Sequence, residues 1–319
     1  MKLHLKFSWL LGLAGLLALA GPVRAAEAVS LFPPAAKKVL VLGDSITYAG
    51  QYVEEIAAYQ RARFPGHPVD VINVGLPSET VSGLSEPGHA DGKFPRPDLH
   101  ERLARVLAKT RPDLVFACYG MNDGIYLPLD AARFQSYRDG IEWLHTQVTA
   151  AGAAIIHVTP PVFDEVKGGH AGYEAVLAEY SAWLVSQRTN GWEVIDLHTP
   201  MKQYLAAQRG RDPAFALTQD GIHPGDLGHW LMAQAILEHL GVGEAQSADS
   251  INALLAPYPD GSQILAEEQA SQRLWKDAWL TATGHKRPGM KRGLPLVIDP
   301  QTGEARLVTN SGPGAPSAP

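Results

Sequence analysis

The sequence runs to 319 residues, 45% hydrophobic, 19% charged and 8% aromatic, a globular balance that excludes the disordered and fibrous classes. A chain this long holds one large domain or two ordinary ones. Its net charge is −6, and loss of Lys2, Lys6 and Arg24 with an amino-terminal leader cleaved after Ala25 takes it to −9; with no long Lys/Arg stripe to offset that charge, no nucleic-acid partner is expected.

Residues 1–28 read as a signal peptide. Lys2 and Lys6 precede an apolar run from Phe7 to Gly21, followed by Pro22 and a small-residue stretch that places cleavage after Ala25 or Ala28. The run falls short of the roughly 20 residues a membrane-spanning helix needs; the competing expectation is an uncleaved anchor. No cysteine stands near the cleavage site to carry lipid. The mature protein is therefore expected to be exported, periplasmic or extracellular, with no stable membrane insertion. Cys118 is the only cysteine, so no intramolecular disulfide can form, and it reads as a small buried hydrophobe.

From residue 38 onward, short apolar runs alternate with longer amphipathic ones. Strands are predicted over Lys38–Leu42, Val69–Asn73, Leu114–Tyr119, Ala154–Val158 and Glu193–Leu197. Runs this continuously apolar are buried on both faces and belong in a parallel sheet. Helices are predicted over Gln51–Arg63, Leu99–Lys109, Ala131–Ala151, Tyr173–Arg188, Pro200–Gln208 and Gly228–Leu240. In the third, Phe134, Tyr137, Ile141, Leu144 and Val148 form one stripe. The expected architecture is an α/β, flavodoxin-like three-layer α/β/α sandwich on a five-stranded parallel sheet, with ligands at the carboxyl ends of the strands. Residues 36–241 would form this domain. Residues 242–310 would form a carboxyl-terminal extension packing on it, with a helix near Ser262–Ala282 and a basic turn from Gly284 to Gly289; residues 311–319, all Gly, Pro, Ala and Ser, read as a disordered tail.

Four loops at that edge carry chemistry. The first strand ends in Gly43-Asp44-Ser45, a serine at the start of a helix, where free backbone N–H groups stabilise negative charge or where it merely caps the helix. After the second strand comes Asn73-Val74-Gly75, whose glycine can bring a backbone N–H close to substrate or simply turn the chain. The third strand leads into Gly120-Met121-Asn122-Asp123; an Asn amide here can donate to an oxyanion, or the pair can form an Asx turn. Asp220-Gly221-Ile222-His223 comes last, offering a base and a group to orient it from one loop, against the plainer reading of a solvated pair.

Together, in order and context over residues 38–240, these blocks resemble the SGNH/GDSL hydrolase family, its Ser, Gly, Asn and His matching Ser45, Gly75, Asn122 and His223. The resemblance implies a triad of Ser45, His223 and Asp220, an oxyanion hole from the Ser45 and Gly75 N–H groups and the Asn122 side chain, and no metal or organic cofactor. Two departures stand out. Ser78 occupies the place of a second glycine, which puts the shape of that loop in doubt. Residues 274–288 lie outside the common core and look like an extension carried by a bacterial subgroup; His285, Lys286 or Arg287 would reach a polar substrate, or Trp275 and Trp279 would pack on the core below a solvated basic turn. His157 reads as a core histidine, and Asp196 with His198 lacks a third metal ligand.

The expected activity is serine ester hydrolysis through an acyl-enzyme, on a small-molecule or polysaccharide ester. A carbohydrate O-acetyl group is favoured because no lipid-lid insertion is visible, while Tyr119, Tyr126 and loop Ser82–Pro97 offer contacts to sugar. The alternatives are a lysophospholipase or thioesterase-type acyl hydrolase and, from another class, a non-catalytic carbohydrate-binding envelope protein.

Overall fold

Each of five short apolar runs is hydrogen-bonded only to parallel neighbours in the structure, a computed structural model that describes residues 30–308. The expected leader and the tail at 311–319 lie outside the described residues. The strands are β1 (Lys38–Gly43), β2 (Asp70–Asn73), β3 (Leu114–Cys118), β4 (Ala154–Val158) and β5 (Glu193–Ile195). Their order is β2-β1-β3-β4-β5, the flavodoxin-like arrangement with its switch point between β1 and β3. Every residue of β3, the central strand, is buried, as continuous burial by helices on both faces requires.

The helices are α1 (Ser45–Ala49), α2 (Gln51–Arg63), α3 (Leu103–Thr110), α4 (Ala131–Ala150), α5 (Glu165–Gly168), α6 (Tyr173–Ser186), α7 (His198–Arg209), α8 (Asp226–His239), α9 (Ile251–Leu255) and α10 (Gly261–Thr283). The α4 stripe packs inward at Tyr137, Ile141, Leu144 and Val148, all buried. Several boundaries differ from the expectation: β5 ends at Ile195 rather than Leu197, and α8 begins at Asp226 rather than Gly228. The helix expected from Leu99 is a 3-10 turn, Leu99–Glu101, separated from α3 by Arg102, whose backbone leaves the helical region as its side chain enters a buried ion pair. Helix α6 ends at Ser186 and tightens into a 3-10 turn over Gln187–Asn190. Helix α7 begins two residues before Pro200; a proline in the first turn removes no hydrogen bond, since that N–H would have no partner there.

Beyond α8, α10 lies along α2 and against edge strand β2. Trp279 is buried against the core, and Gln272 Nε2 donates to the Val71 carbonyl of the edge strand at 3.0 Å. The chain closes with a hairpin that the sequence did not suggest, β6 (Leu296–Ile298) and β7 (Ala305–Leu307). Its turn is tied to the strand-start end of the sheet, where Lys38 Nζ donates to the Thr302 carbonyl and Arg111 to those of Pro300 and Gln301. Among the described residues, no helix is long and apolar enough to cross a membrane.

Candidate active site

At the carboxyl end of β1, Asp44 Oδ1 accepts the Ile46 N–H at 2.9 Å and caps α1, so that Ser45 opens the first turn. The chain bends after α1 at Gly50, whose φ of 84° lies in the left-handed region. The Asn73 side chain fills the bend, donating to the Thr47 carbonyl at 2.7 Å; a Cβ on Gly50 would come within 2.8 Å of that amide. Gly75 is needed for a different reason, because a Cβ there would stand 2.4 Å from the Tyr48 backbone nitrogen. Strand pairing continues past β2, with Leu76 N donating to the Gly43 carbonyl, and this draws the Gly75 loop against the serine's helix. Ser78, standing in place of a second glycine, has a φ of 68°. It adopts the conformation a glycine would take at no steric cost, so the loop keeps that shape.

The histidine arrives on a loop closed at its base by a Thr218–Pro224 bridge. Asp220 Oδ1 accepts the backbone N–H groups of Ile222 and His223 at 2.9 and 2.8 Å, while its Oδ2 lies 2.6 Å from His223 Nδ1. His223 Nε2 is 2.8 Å from Ser45 Oγ. A carboxylate can only accept, so Nδ1 carries the ring proton and Nε2 accepts from the serine hydroxyl. Partial burial acts to raise the Asp220 pKa, but the hydrogen bonds from the His223 ring and from the two backbone N–H groups outweigh it and hold the carboxyl below its ordinary value. The arrangement can take a proton from Ser45 and stabilise the imidazolium that results.

Asn122, in the turn that follows β3, is buried and oriented from both ends of its amide. Its Oδ1 accepts from Arg96 Nη1 at 3.0 Å and from the Tyr126 hydroxyl at 3.2 Å, and its Nδ2 donates to the Glu79 carbonyl at 3.3 Å. Two donors on the oxygen fix which end of the amide is which and leave the second Nδ2–H available to a ligand. Arg96 is buried in turn, its fork held by both oxygens of Glu86, its guanidinium 5.3 Å from the Tyr126 ring centre. Behind Asn122, Arg102 and Glu79 form a fully buried bidentate pair, and the Tyr119 hydroxyl also donates to Glu79. Burial works against the Arg102 charge, but the adjacent carboxylate more than offsets it and keeps the guanidinium protonated. Asp123 receives the Val81 and Ser82 N–H groups; burial nevertheless pushes its pKa up to about 6, and that of Asp44 up to about 7.

The structure thus joins Ser45, His223 and Asp220 in one hydrogen-bonded chain. Gly75 lies beside the serine's helix, but its N–H is given to Asn73 Oδ1 at 2.9 Å. Sequence reasoning missed Asn73, Glu79, Arg96 and Arg102. Asn73 opens the second block and was the one with a visible signal. His157 is buried beside His145 and pushed down to about 3, first by burial and then by that neighbour. His198 Nε2 lies 3.0 Å from Glu174, and no cluster of three metal-ligating side chains exists among the described residues.

The profile of the GDSL-like lipase/acylhydrolase family matches residues 41–231, more than half of the chain. The chain belongs to this family. The family is one of carboxylic ester hydrolases of the SGNH type, and α9, α10 and the β6–β7 hairpin lie beyond the matched region. Curated protein sequences gave no match. Among solved structures, the chain is similar to a gut microbial diltiazem-metabolizing enzyme at 23% identity and a TM-score of 0.50, covering 67% of this chain and 49% of that one. It therefore spans about half the length of that relative. A catalytic mutant of an acetylxylan esterase from Geobacillus stearothermophilus matches at 20% identity and a TM-score of 0.50, over 64% of this chain and 94% of that one. Likeness at these identities speaks for the shared fold.

Proposed function

We propose that Ser45 is the nucleophile of this ester hydrolase, with His223 its general base and Asp220 the residue that orients the imidazole. The observation that carries this reading is the unbroken chain from Asp220 through His223 to Ser45 Oγ. His223 takes the serine proton as Oγ attacks the ester carbonyl, returns it to the leaving alcohol, and then activates the water that releases the acid from the acyl-enzyme. The tetrahedral oxyanion receives the Ser45 N–H and the second N–H of Asn122. Gly75 joins them by sharing the N–H that the free enzyme gives to Asn73.

The substrate class we infer is a short acyl ester on a carbohydrate. Openness supports it: the side chains of His223 and Asp220 are 46% and 52% exposed, so a bulky polymer can approach without a lid opening. The likeness to an acetylxylan esterase points the same way, and the leader pattern supports export to where such polymers are met. A second reading, hydrolysis of longer acyl chains, is favoured by exposed Leu127 and Leu129 in the loop that follows Asn122, and by exposed Val166 on α5. Helix α5 borders the histidine loop, because Asp164 N donates to the Gly221 carbonyl.

Expression of residues 29–319 and assay with p-nitrophenyl acetate, butyrate and octanoate separates the readings. Activity highest on acetate and lost in Ser45→Ala supports the acetyl esterase; a rate rising toward octanoate replaces it with the long-chain reading. Folded protein that neither hydrolyses these esters nor reacts with a fluorophosphonate overturns the triad assignment and leaves a carbohydrate-binding protein.

A further inference from the structure

Helix α1, which opens with Ser45, has only five residues. So short a helix does not hold its own shape, and its position depends on what takes the carbonyls near its end. The Ile46 carbonyl accepts the Gly50 N–H, and that of Thr47 accepts the Asn73 amide. The Tyr48 carbonyl accepts from Lys276 Nζ, which reaches it from α10. Lys276 is buried, with its ammonium 4.2 Å from the Tyr48 ring centre, and the Tyr48 hydroxyl donates to neighbouring Asp277 at 3.3 Å. Burial draws the Lys276 pKa below the ordinary lysine value, with the Asp277 and Glu54 carboxylates resisting the fall. A cation kept in such a place lowers stability relative to an apolar side chain of the same size, so its retention there calls for another reason. The loop of the second oxyanion donor is tied to the same extension. Gly75 lies so close to α1 that a Cβ on it would stand 2.4 Å from the Tyr48 nitrogen. Two residues on, the Pro77 carbonyl accepts from Arg287 Nε at 2.9 Å. Lys276 and Arg287 both follow residue 231, where the family match ends.

We propose that the carboxyl-terminal extension positions the oxyanion hole: Lys276 through the Tyr48 carbonyl, and Arg287 through the Pro77 carbonyl, fix the Ser45 and Gly75 N–H groups relative to each other. Neither side chain touches substrate, and both act as positioning residues. Donors of an oxyanion hole are effective only if they are aligned before the charge develops, and a misplacement of about 1 Å can slow a reaction about 10²-fold. In this chain α1 and the Gly75–Ser78 loop meet at Tyr48, and the extension grips one carbonyl on each. The inference rests on the oxyanion-hole assignment under Proposed function, and the test separates the two.

Lys276→Met keeps the length and apolar bulk of the side chain and removes the donor. On p-nitrophenyl acetate it should lower kcat about tenfold with KM within about twofold, because acylation and deacylation pass through the same oxyanion and slow together. Affinity for a trifluoromethyl ketone, whose serine adduct places an oxyanion in the hole, should fall by the same factor. Arg287→Gln should show a loss of the same kind, about threefold, and Arg287→Lys, which keeps a donor for Pro77, should restore it. The comparison variant is Lys109→Met, because Lys109 Nζ donates to the Ala282 carbonyl and ties the same helix to α3 instead of to the hole. It should lower Tm and leave both kcat and ketone affinity unchanged. Wild-type kcat and ketone affinity in folded Lys276→Met overturn the inference, as does a rise in KM alone or an equal loss of kcat in Lys109→Met. If Lys276→Met does not fold, the Arg287 pair decides, and wild-type kcat in Arg287→Gln overturns it. Wild-type protein that hydrolyses no ester and takes no fluorophosphonate sinks this inference together with the triad, whereas an active wild type with an unaffected Lys276→Met sinks this inference alone.

Discussion

The two sides of the cleft are built on opposite plans. On one side, Asp220 and His223 lie three residues apart on a loop, are about half exposed, and orient each other through hydrogen bonds that never leave that loop. On the other, Asn122 is buried, and each contact that orients it comes from elsewhere in the chain: Arg96 and Glu86 from one loop, Glu79 and Arg102 from behind, Tyr126 from the segment that follows. A base must accept and release a proton on every turnover, and solvent access with a local hinge suits it. An oxyanion donor must hold still, and in a low-dielectric surrounding its hydrogen bond is stronger.

The contrast makes predictions that differ in kind. Asp220→Asn should lower kcat by about 10⁴-fold, as loss of the orienting carboxylate does in serine hydrolases generally, with unfolding stability shifted by less than about 1 kcal/mol for so exposed a group; a large stability loss in urea would break the claim that this side is self-contained. On the buried side Glu79→Ala leaves the Arg102 charge unpaired and should cost about 3–5 kcal/mol of unfolding free energy. A cost under about 1 kcal/mol would show that the pair contributes little. Next comes Asn122→Ala, expected to reduce kcat by about 10²-fold to 10³-fold with the fold intact by circular dichroism.

Arg96 is a positioning residue, and Arg96→Gln should show as a fall in kcat of roughly tenfold with KM nearly unchanged, the signature of an interaction made in the transition state. Arg96→Lys should not restore it, because a lysine cannot hold Glu86 with a fork while reaching Asn122. A rise in KM with constant kcat would place Arg96 in ground-state binding instead.

The smallest expected effect is a pH dependence whose sign differs between the sides. Asp123 is pushed up to about 6 by burial, so the folded state holds its proton where the unfolded chain has lost it, and stability falls as pH rises from about 4 to 6. Asp220 is held below its ordinary value, so its contribution is present above that value and lost on acidification. Urea unfolding at pH 4.5 and 7.5 should show a decline across this interval that shrinks by about 1–3 kcal/mol in Asp123→Asn; an unchanged decline would assign it to other buried carboxyls, Asp44 first.

The same contrast decides what could be read from the sequence. Ser45 announces itself by following an apolar strand and opening a helix, and the 220–223 pair is close enough in sequence to suggest its own chemistry. The parallel sheet was equally plain, because five apolar runs spaced by amphipathic helices have few other solutions. Arg96 was invisible: an arginine between Pro95 and Pro97 in a polar loop looks like surface, and nothing local says that it is buried against a residue 26 positions away. Glu79 and Arg102, 23 positions apart, were hidden for the same reason, and their pairing explains why the helix expected from Leu99 is broken. The two-stranded hairpin escaped notice because its strands are three residues each, too short to show an alternating pattern.

Helix α10 also guards the protein against its own copies. Strand β2 ends the sheet, and an uncovered edge presents free N–H and C=O groups to the edge of any neighbouring molecule. Here Gln272 occupies the Val71 carbonyl, and Trp279 and Leu280 of the same helix are buried. A chain cut after residue 242 would keep every residue of the triad and the oxyanion side, yet expose that edge and the apolar face of α2 together. Such a fragment would be limited by self-association and aggregation before it was limited by chemistry.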